Sequence, residues 1–175
     1  MLYKYGLRIS EALGLRWSDF KLDGLRIERC ACVKNDDHIT IFNSSKTKNS
    51  YRIYPIFECF NPYIKELRPK EYKDVQVFET RKRTQGSVWG QTTVRWLSMK
   101  YAALAGVKCI KLHEFRHSCV SNLLASSLSV RVVARWVEDT ERMVQETYSH
   151  LLPVEKDVIK DFFDSMSPPN LNETK

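Results

Sequence analysis

Apolar positions fall at helical spacing near the start of the chain, alternate through a middle stretch, and return to helical spacing for the remainder. Residues 10–17 predict a short helix with Ser10 as its N-cap and Leu13 and Trp17 on one face. Ser18-Asp19 and Asp23-Gly24 mark a turn. Residues 25–33 alternate and predict a strand, Asn35-Asp36-Asp37 a turn, and residues 38–42 a second strand. A polar loop over 43–50 leads to a third strand at 51–56, ending at Pro55. The three strands are expected to form an antiparallel meander. Helices are then predicted at about 57–67, 92–105, 112–126, 129–137, 141–149 and 154–166, with a disordered tail over 167–175. The fold class is therefore α+β, mostly α, with a small three-stranded antiparallel sheet. Leu2, Tyr3, Tyr5 and Leu7 read as the end of an apolar helix, so upstream helices are expected to be missing and one domain to occupy residues 1–166.

Length and charge narrow the function classes. A chain of 175 residues with 43% hydrophobic and 28% charged residues is composed like one ordinary globular domain, not a disordered one. No run of about 18 apolar residues exists, so no membrane partner is expected. Five cysteines, an odd number without metal-ligand spacing, argue against a disulfide framework and for a reducing cytosol. Cys30 and Cys32 are two apart, which turns both to one side of a strand. The net charge of +7 is uneven: residues 59–136 carry 14 Lys/Arg against 5 Asp/Glu, whereas residues 137–175 carry 4 against 9. A basic middle points to an anionic partner, nucleic acid first.

Three segments hold residues fit for chemistry: residues 6–17 (GLRISEALGLRW), 112–118 (LHEFRHS) and 147–151 (TYSHL), with Lys46 in the polar loop. They supply two arginines, a lysine, histidines and a tyrosine near a helix end. That inventory suits phosphoryl transfer on nucleic acid without a metal or cofactor. Arginine offers a planar, bidentate donor to two phosphate oxygens. A tyrosine of ordinary pKa near 10 needs a cationic site to attack at neutral pH. A lysine can protonate a departing oxygen.

In this order and spacing, the four motifs resemble the tyrosine recombinase (phage integrase) family from residue 1 to about 153. The resemblance implies a helical catalytic domain that cleaves and rejoins double-stranded DNA through a 3′-phosphotyrosyl intermediate. By that resemblance Arg8 is the first catalytic arginine and Glu11 its acidic companion. Lys46 is the loop lysine, with Lys48 a close rival. His113 and Arg116 are the H-x-x-R pair, and Tyr148 is the nucleophile. It further implies a tetramer on paired DNA sites, a cytoplasmic setting in a bacterium or phage, no small-molecule substrate, and an N-terminal DNA-binding domain, expected to be missing from this chain like the upstream helices. Residues 154–166, an amphipathic stretch, suit docking on a neighbouring copy or on their own domain.

One position departs from the pattern. Nine residues before the nucleophile the family usually has His or Trp after a glycine; this chain has Glu138-Asp139. Asp139 is expected either to repel the scissile phosphate or to cap the next helix. A DNA-binding remnant without cleavage is therefore the alternative function. A distant alternative is a zinc hydrolase, because His113-Glu114-Phe115-Arg116-His117 also satisfies H-E-x-x-H. Trp17, Trp96 and Trp136 read as core, His117 and His150 as structural, and Arg81-Lys82-Arg83 as a solvated loop.

Overall fold

The computed structural model describes residues 1–33, 39–43, 52–70, 75–79, 88–151 and 159. Lys46 and Lys48, the basic run 81–83, the amphipathic stretch 154–166 (apart from residue 159) and the tail 167–175 lie outside the described residues. Among the described residues no helix is long and apolar enough to cross a membrane.

The start of the chain folds as two very short helices, α1 (Leu2–Tyr5) and α2 (Ile9–Leu13), separated by Gly6. Gly6 adopts φ +63°, and a Cβ there would lie 2.7 Å from Val137 Cγ1, so both conformation and space demand glycine. The N-cap of α2 is Arg8, not Ser10. Its backbone N–H donates to Glu11 Oε2 at 2.8 Å, an acid three residues into the helix reaching back over its first turn. The same device recurs at Asp19, which accepts from Arg16 N at 2.7 Å and starts the 3₁₀ turn Trp17–Asp19. Trp17, the last residue of the predicted helix, thus falls outside α2 while remaining in the core.

Five short strands follow: β1 (Phe20–Lys21), β2 (Gly24–Ile27), β3 (Arg29–Val33), β4 (Ile39–Asn43) and β5 (Arg52–Tyr54). The long strand expected at 25–33 is divided at Glu28, because its halves pair with different partners. β2 lies between β1 and β5 in a three-stranded antiparallel sheet, and β3 pairs with β4 in a two-stranded one. The small antiparallel sheet is present, but its third member is β1 from the turn segment, not the second strand of a meander.

The helical part contains α3 (Asn61–Leu67), α4 (Gln91–Leu104), α5 (Leu112–Ala125), α6 (Val130–Val137) and α7 (Glu141–Tyr148). Ser129 caps α6 and Thr140 caps α7, each hydroxyl accepting a backbone N–H one turn ahead. One core gathers Tyr5, Leu7, Leu15, Phe20, Leu25, Ile27 and Tyr54; another gathers Val120, Leu124, Val133, Val137, Val144 and Tyr148. Trp136 packs against both, joining the sheet side to the helices. Trp96, expected in the core, is 58% exposed on α4, with Lys100 Nζ 5.4 Å from its ring centre.

Candidate active site

Arg8 and Arg116, 108 positions apart in sequence, converge where the Gly6 turn meets α5 and the α6–α7 junction. Arg116 is buried, its side chain only 5% exposed. Its Nη1 donates to the carbonyl oxygen of Gly6 at 2.6 Å, and its Nη2 to Asp139 Oδ2 at 3.2 Å. The left-handed turn at Gly6 therefore does two things: it admits α6 closely, and it presents a carbonyl that fixes this guanidinium. Arg8 is more open, 43% exposed. Its Nη2 donates to the carbonyl oxygen of Glu138 at 3.0 Å, while Nη1 lies 3.4 Å from both Glu11 Oε1 and Glu138 Oε2.

A third arginine belongs to this cluster, and the sequence reading passed over it. Arg52 on β5 reaches Glu11 Oε1 at 2.5 Å and Glu138 Oε2 at 3.1 Å, and donates to the Tyr54 hydroxyl at 3.0 Å. Tyr54 in turn donates to the backbone carbonyl of Trp136. Burial pushes the Tyr54 phenol up to about 12, so it stays a donor. Glu11 is buried and lies between two guanidinium groups, which fits the orienting role the resemblance implies. No local spacing flags Arg52 beforehand, because its partner Glu11 is 41 positions away.

The acidic turn is the main surprise of the geometry. Glu138 ends α6 at φ +53°, a left-handed conformation rare for a non-glycine residue. Its carbonyl and carboxylate meet Arg8, and the carboxylate also meets Arg52, interactions that offset the backbone strain. Asp139 does not cap α7; Thr140 does. Asp139 instead turns to Arg116 and accepts from the Thr140 N–H at 3.0 Å through its other oxygen. Thus each of the two expected phosphate-binding arginines already holds a carboxylate of this chain.

The aromatic end of the site stands on α5 and α7. His113 and His117, one helical turn apart, meet edge to face with ring centres 4.6 Å apart. His117 Nδ1 and the Tyr148 hydroxyl share a short hydrogen bond, so a histidine read as structural touches the expected nucleophile. Tyr148 is 8% exposed. Burial raises its pKa above the usual 10; Arg116 nearby pulls it down and Asp139 pushes it up. His113 is held below its ordinary 6.5 by desolvation first, then by the charges of His117, Arg116 and Arg8. Through His117 the Tyr148 hydroxyl has an imidazole nitrogen within hydrogen-bond reach, the kind of group that accepts a proton from an attacking oxygen.

The zinc alternative fits these contacts poorly. Glu114, which would have to activate water, accepts the Lys111 backbone N–H at 2.5 Å and faces the start of its own helix. Among the described residues no third His, Cys, Asp or Glu joins His113 and His117.

Known proteins with similar sequences or folds point one way. The chain is 28% identical over 177 residues to a "Tyrosine recombinase XerC-like" protein of Caldanaerobacter subterraneus subsp. tengcongensis, covering 86% of this chain and 44% of the relative. It is 26% identical to "Tyrosine recombinase XerD" of Lacticaseibacillus casei, covering 86% and 48%. The chain spans about half the length of the curated relatives it matches. Its fold is shared with the Tn1549 transposon integrase solved in complex with circular intermediate DNA, at a TM-score of 0.72 and 17% identity over 95% of this chain and 57% of that one. It is shared as well with XerA recombinase, at a TM-score of 0.56 and 16% identity over 96% and 54%. Residues 1–153, carrying Arg8, Glu11, His113, Arg116 and Tyr148, match the phage integrase family, and the chain belongs to it.

Proposed function

We propose that this chain is the catalytic part of a site-specific DNA recombinase, acting on double-stranded DNA in the cytoplasm through a 3′-phosphotyrosyl intermediate. The observation that carries this reading is the convergence of Arg8 and Arg116 beside Tyr148, whose hydroxyl meets an imidazole. The Tyr148 oxygen attacks the scissile phosphorus, and its proton passes to the His117–His113 pair. A P–O bond to tyrosine forms as the bond to the 5′ oxygen breaks. Arg8 and Arg116 hold the non-bridging oxygens, where growing negative charge makes preorganised donors most valuable. Lys46, outside the described residues, protonates the leaving 5′ oxygen, with Lys48 as its rival. The phosphotyrosyl ester conserves the energy of the broken bond, so rejoining needs neither ATP nor a metal. Assembly as a tetramer on paired sites, with residues 154–166 bridging copies, belongs to the same proposal.

A nicked duplex that traps the covalent intermediate tests it. Wild-type protein should form a protein–DNA adduct that persists in EDTA, and Tyr148→Phe should abolish the adduct while leaving DNA affinity nearly unchanged, because phosphate contacts dominate that affinity. An undiminished adduct in the Phe variant would overturn the nucleophile. A second reading, a domain that binds DNA without cutting it, is favoured by one specific feature: Glu138 and Asp139 occupy Arg8 and Arg116. Binding without adduct in the wild type, with adduct appearing in Asp139→His, would favour that reading and name its cause.

A further inference from the structure

On β3, away from the arginine cluster, Cys30 and Cys32 bring their sulfurs to 3.9 Å. Cys32 is exposed and Cys30 half-buried, while Ala31 between them turns inward to pack with Leu13 and Val88. The strand beneath them is paired on one side and backed by α2. Its ladder with β4 sets Cys30 opposite Phe42 and Cys32 opposite Thr40. Behind it, a Cβ on Gly14 would lie 2.7 Å from the Arg29 carbonyl oxygen and 3.0 Å from Cys30 Cα, so the end of α2 rests directly on this backbone.

That geometry disfavours a disulfide and suits a chelate. A disulfide needs sulfurs at about 2.05 Å and Cα atoms usually within about 4.4–6.8 Å. Residues two apart on an extended strand have Cα atoms separated by about 6.6 Å, the far edge of that range. By contrast, two thiolate bonds of about 2.3 Å to one tetrahedral ion span about 3.8 Å, close to the separation present. Soft, thiophilic ions select thiolates, and none of the charged groups of the arginine cluster is needed to hold one.

We infer that Cys30 and Cys32 form a bidentate dithiol site for a soft, thiophilic metal or metalloid ion, independent of the DNA-cleaving site. With a monosubstituted trivalent arsenical, two As–S bonds form, and the arsenic-bound oxygen leaves as water with the two thiol protons. Arsenic stays trivalent, so no oxidant is needed. With a divalent d¹⁰ cation, two metal–sulfur bonds form and the thiol protons pass to solvent.

The full, reduced chain is titrated in two arms, one with phenylarsine oxide followed by mass spectrometry, the other with cadmium followed by ultraviolet thiolate absorption. One arsenical per chain should resist an excess of monothiol, come off with a dithiol, and protect Cys30 and Cys32 from alkylation while leaving Cys59 and Cys109 reactive. Cys30→Ser and Cys32→Ser should each weaken retention by roughly 100-fold or more, the scale of losing a second tethered contact. Cys59→Ser and Cys109→Ser should change nothing. Retention in the arsenical arm alone assigns a metalloid site, and in the cadmium arm alone a cation site. Loss to monothiol in both arms, or retention indifferent to Cys30→Ser and Cys32→Ser, overturns the inference. Because the protection pattern is read on the wild-type chain, the result does not depend on any variant folding.

Discussion

The two ends of the candidate site are built in opposite ways. At the arginine end, Arg8, Arg52 and Arg116 come from a helix cap, a strand and a helix, and Glu11, Glu138 and Asp139 are placed among them. At the tyrosine end, Tyr148 and two histidines stand on α5 and α7, over an apolar core of Val120, Leu124, Val133 and Val144, and meet one another by a hydrogen bond and a ring contact. The first end is charge-balanced before any ligand arrives; at the second a buried phenol meets His117 while His113 stays exposed. Under the proposed function a phosphate has to compete with carboxylates for the arginines, whereas the proposed nucleophile, Tyr148, meets an imidazole and not a carboxylate.

The largest effects should come from the arginines, and the two should differ. Arg8→Ala and Arg116→Ala are each expected to slow adduct formation by roughly 100-fold or more, the cost of one preorganised oxyanion donor. Arg8 is 43% exposed, so its loss should leave the thermal midpoint nearly unchanged. Arg116 is 5% exposed, and its removal strands the Gly6 carbonyl and Asp139. A loss of about 2 kcal/mol or more should appear in chemical denaturation, somewhat below that of a fully buried pair because Asp139 is 33% exposed. Equal stabilities for the two variants would remove the distinction drawn here between an open and an embedded arginine.

What was legible beforehand follows the range of each interaction. Arg8 and Glu11 are three apart and His113 and Arg116 three apart, so local spacing alone places each pair on one turn. Tyr148 was readable as a residue near a helix end, and α7 does end there. Helices α4 to α7 fall within a residue or two of expectation because their apolar spacing is local too. The role of Arg52 was not readable, since its partners Glu11 and Glu138 lie 41 and 86 positions away and leave no periodic trace. The partner switch at Glu28 was hidden for a related reason: alternation reports which face a side chain takes, not which strand its backbone pairs with. The direction taken by Asp139 depended on Thr140 winning the cap, a competition between neighbours that composition does not resolve.

Relieving the charge balance should raise activity by a smaller factor. Asp139→Asn removes the negative charge and keeps one acceptor oxygen, enough for either the Arg116 N–H or the Thr140 N–H but not for both. Cleavage of a nicked substrate should rise roughly tenfold, about 1.4 kcal/mol off the barrier. Glu138→Gly removes the second carboxylate and a left-handed non-glycine strain of about 1 kcal/mol, at the expense of contacts to Arg8 and Arg52. DNA affinity, measured by titration at fixed salt, should increase in both variants. Unchanged affinity and rate would mean that the acidic turn swings aside at no cost, and the contrast between the two ends would then hold only without DNA.

The smallest effect concerns His113 and decides whether the arginine end acts on the other at a distance. Desolvation, His117, Arg116 and Arg8 together hold its pKa below the ordinary 6.5, against an upward pull from Asp139. The folded chain therefore keeps this imidazole neutral to lower pH than the unfolded chain does. Between the depressed folded pKa and 6.5 the unfolded chain binds more protons, so the associated stability is present above 6.5 and is lost as pH falls below it. His113 is exposed, which keeps the contribution small. Nuclear magnetic resonance of the imidazole C–H should give a midpoint below 6.5 in the free protein. Arg8→Gln should move that midpoint up by removing a repelling charge, and Asp139→Asn should move it further down by removing an attracting one. The two variants are opposite in sign, so a global change in burial cannot mimic both. Midpoints that stay together in all three proteins would show that His113 responds to burial alone and that the charges of the arginine end are neutralised where they stand.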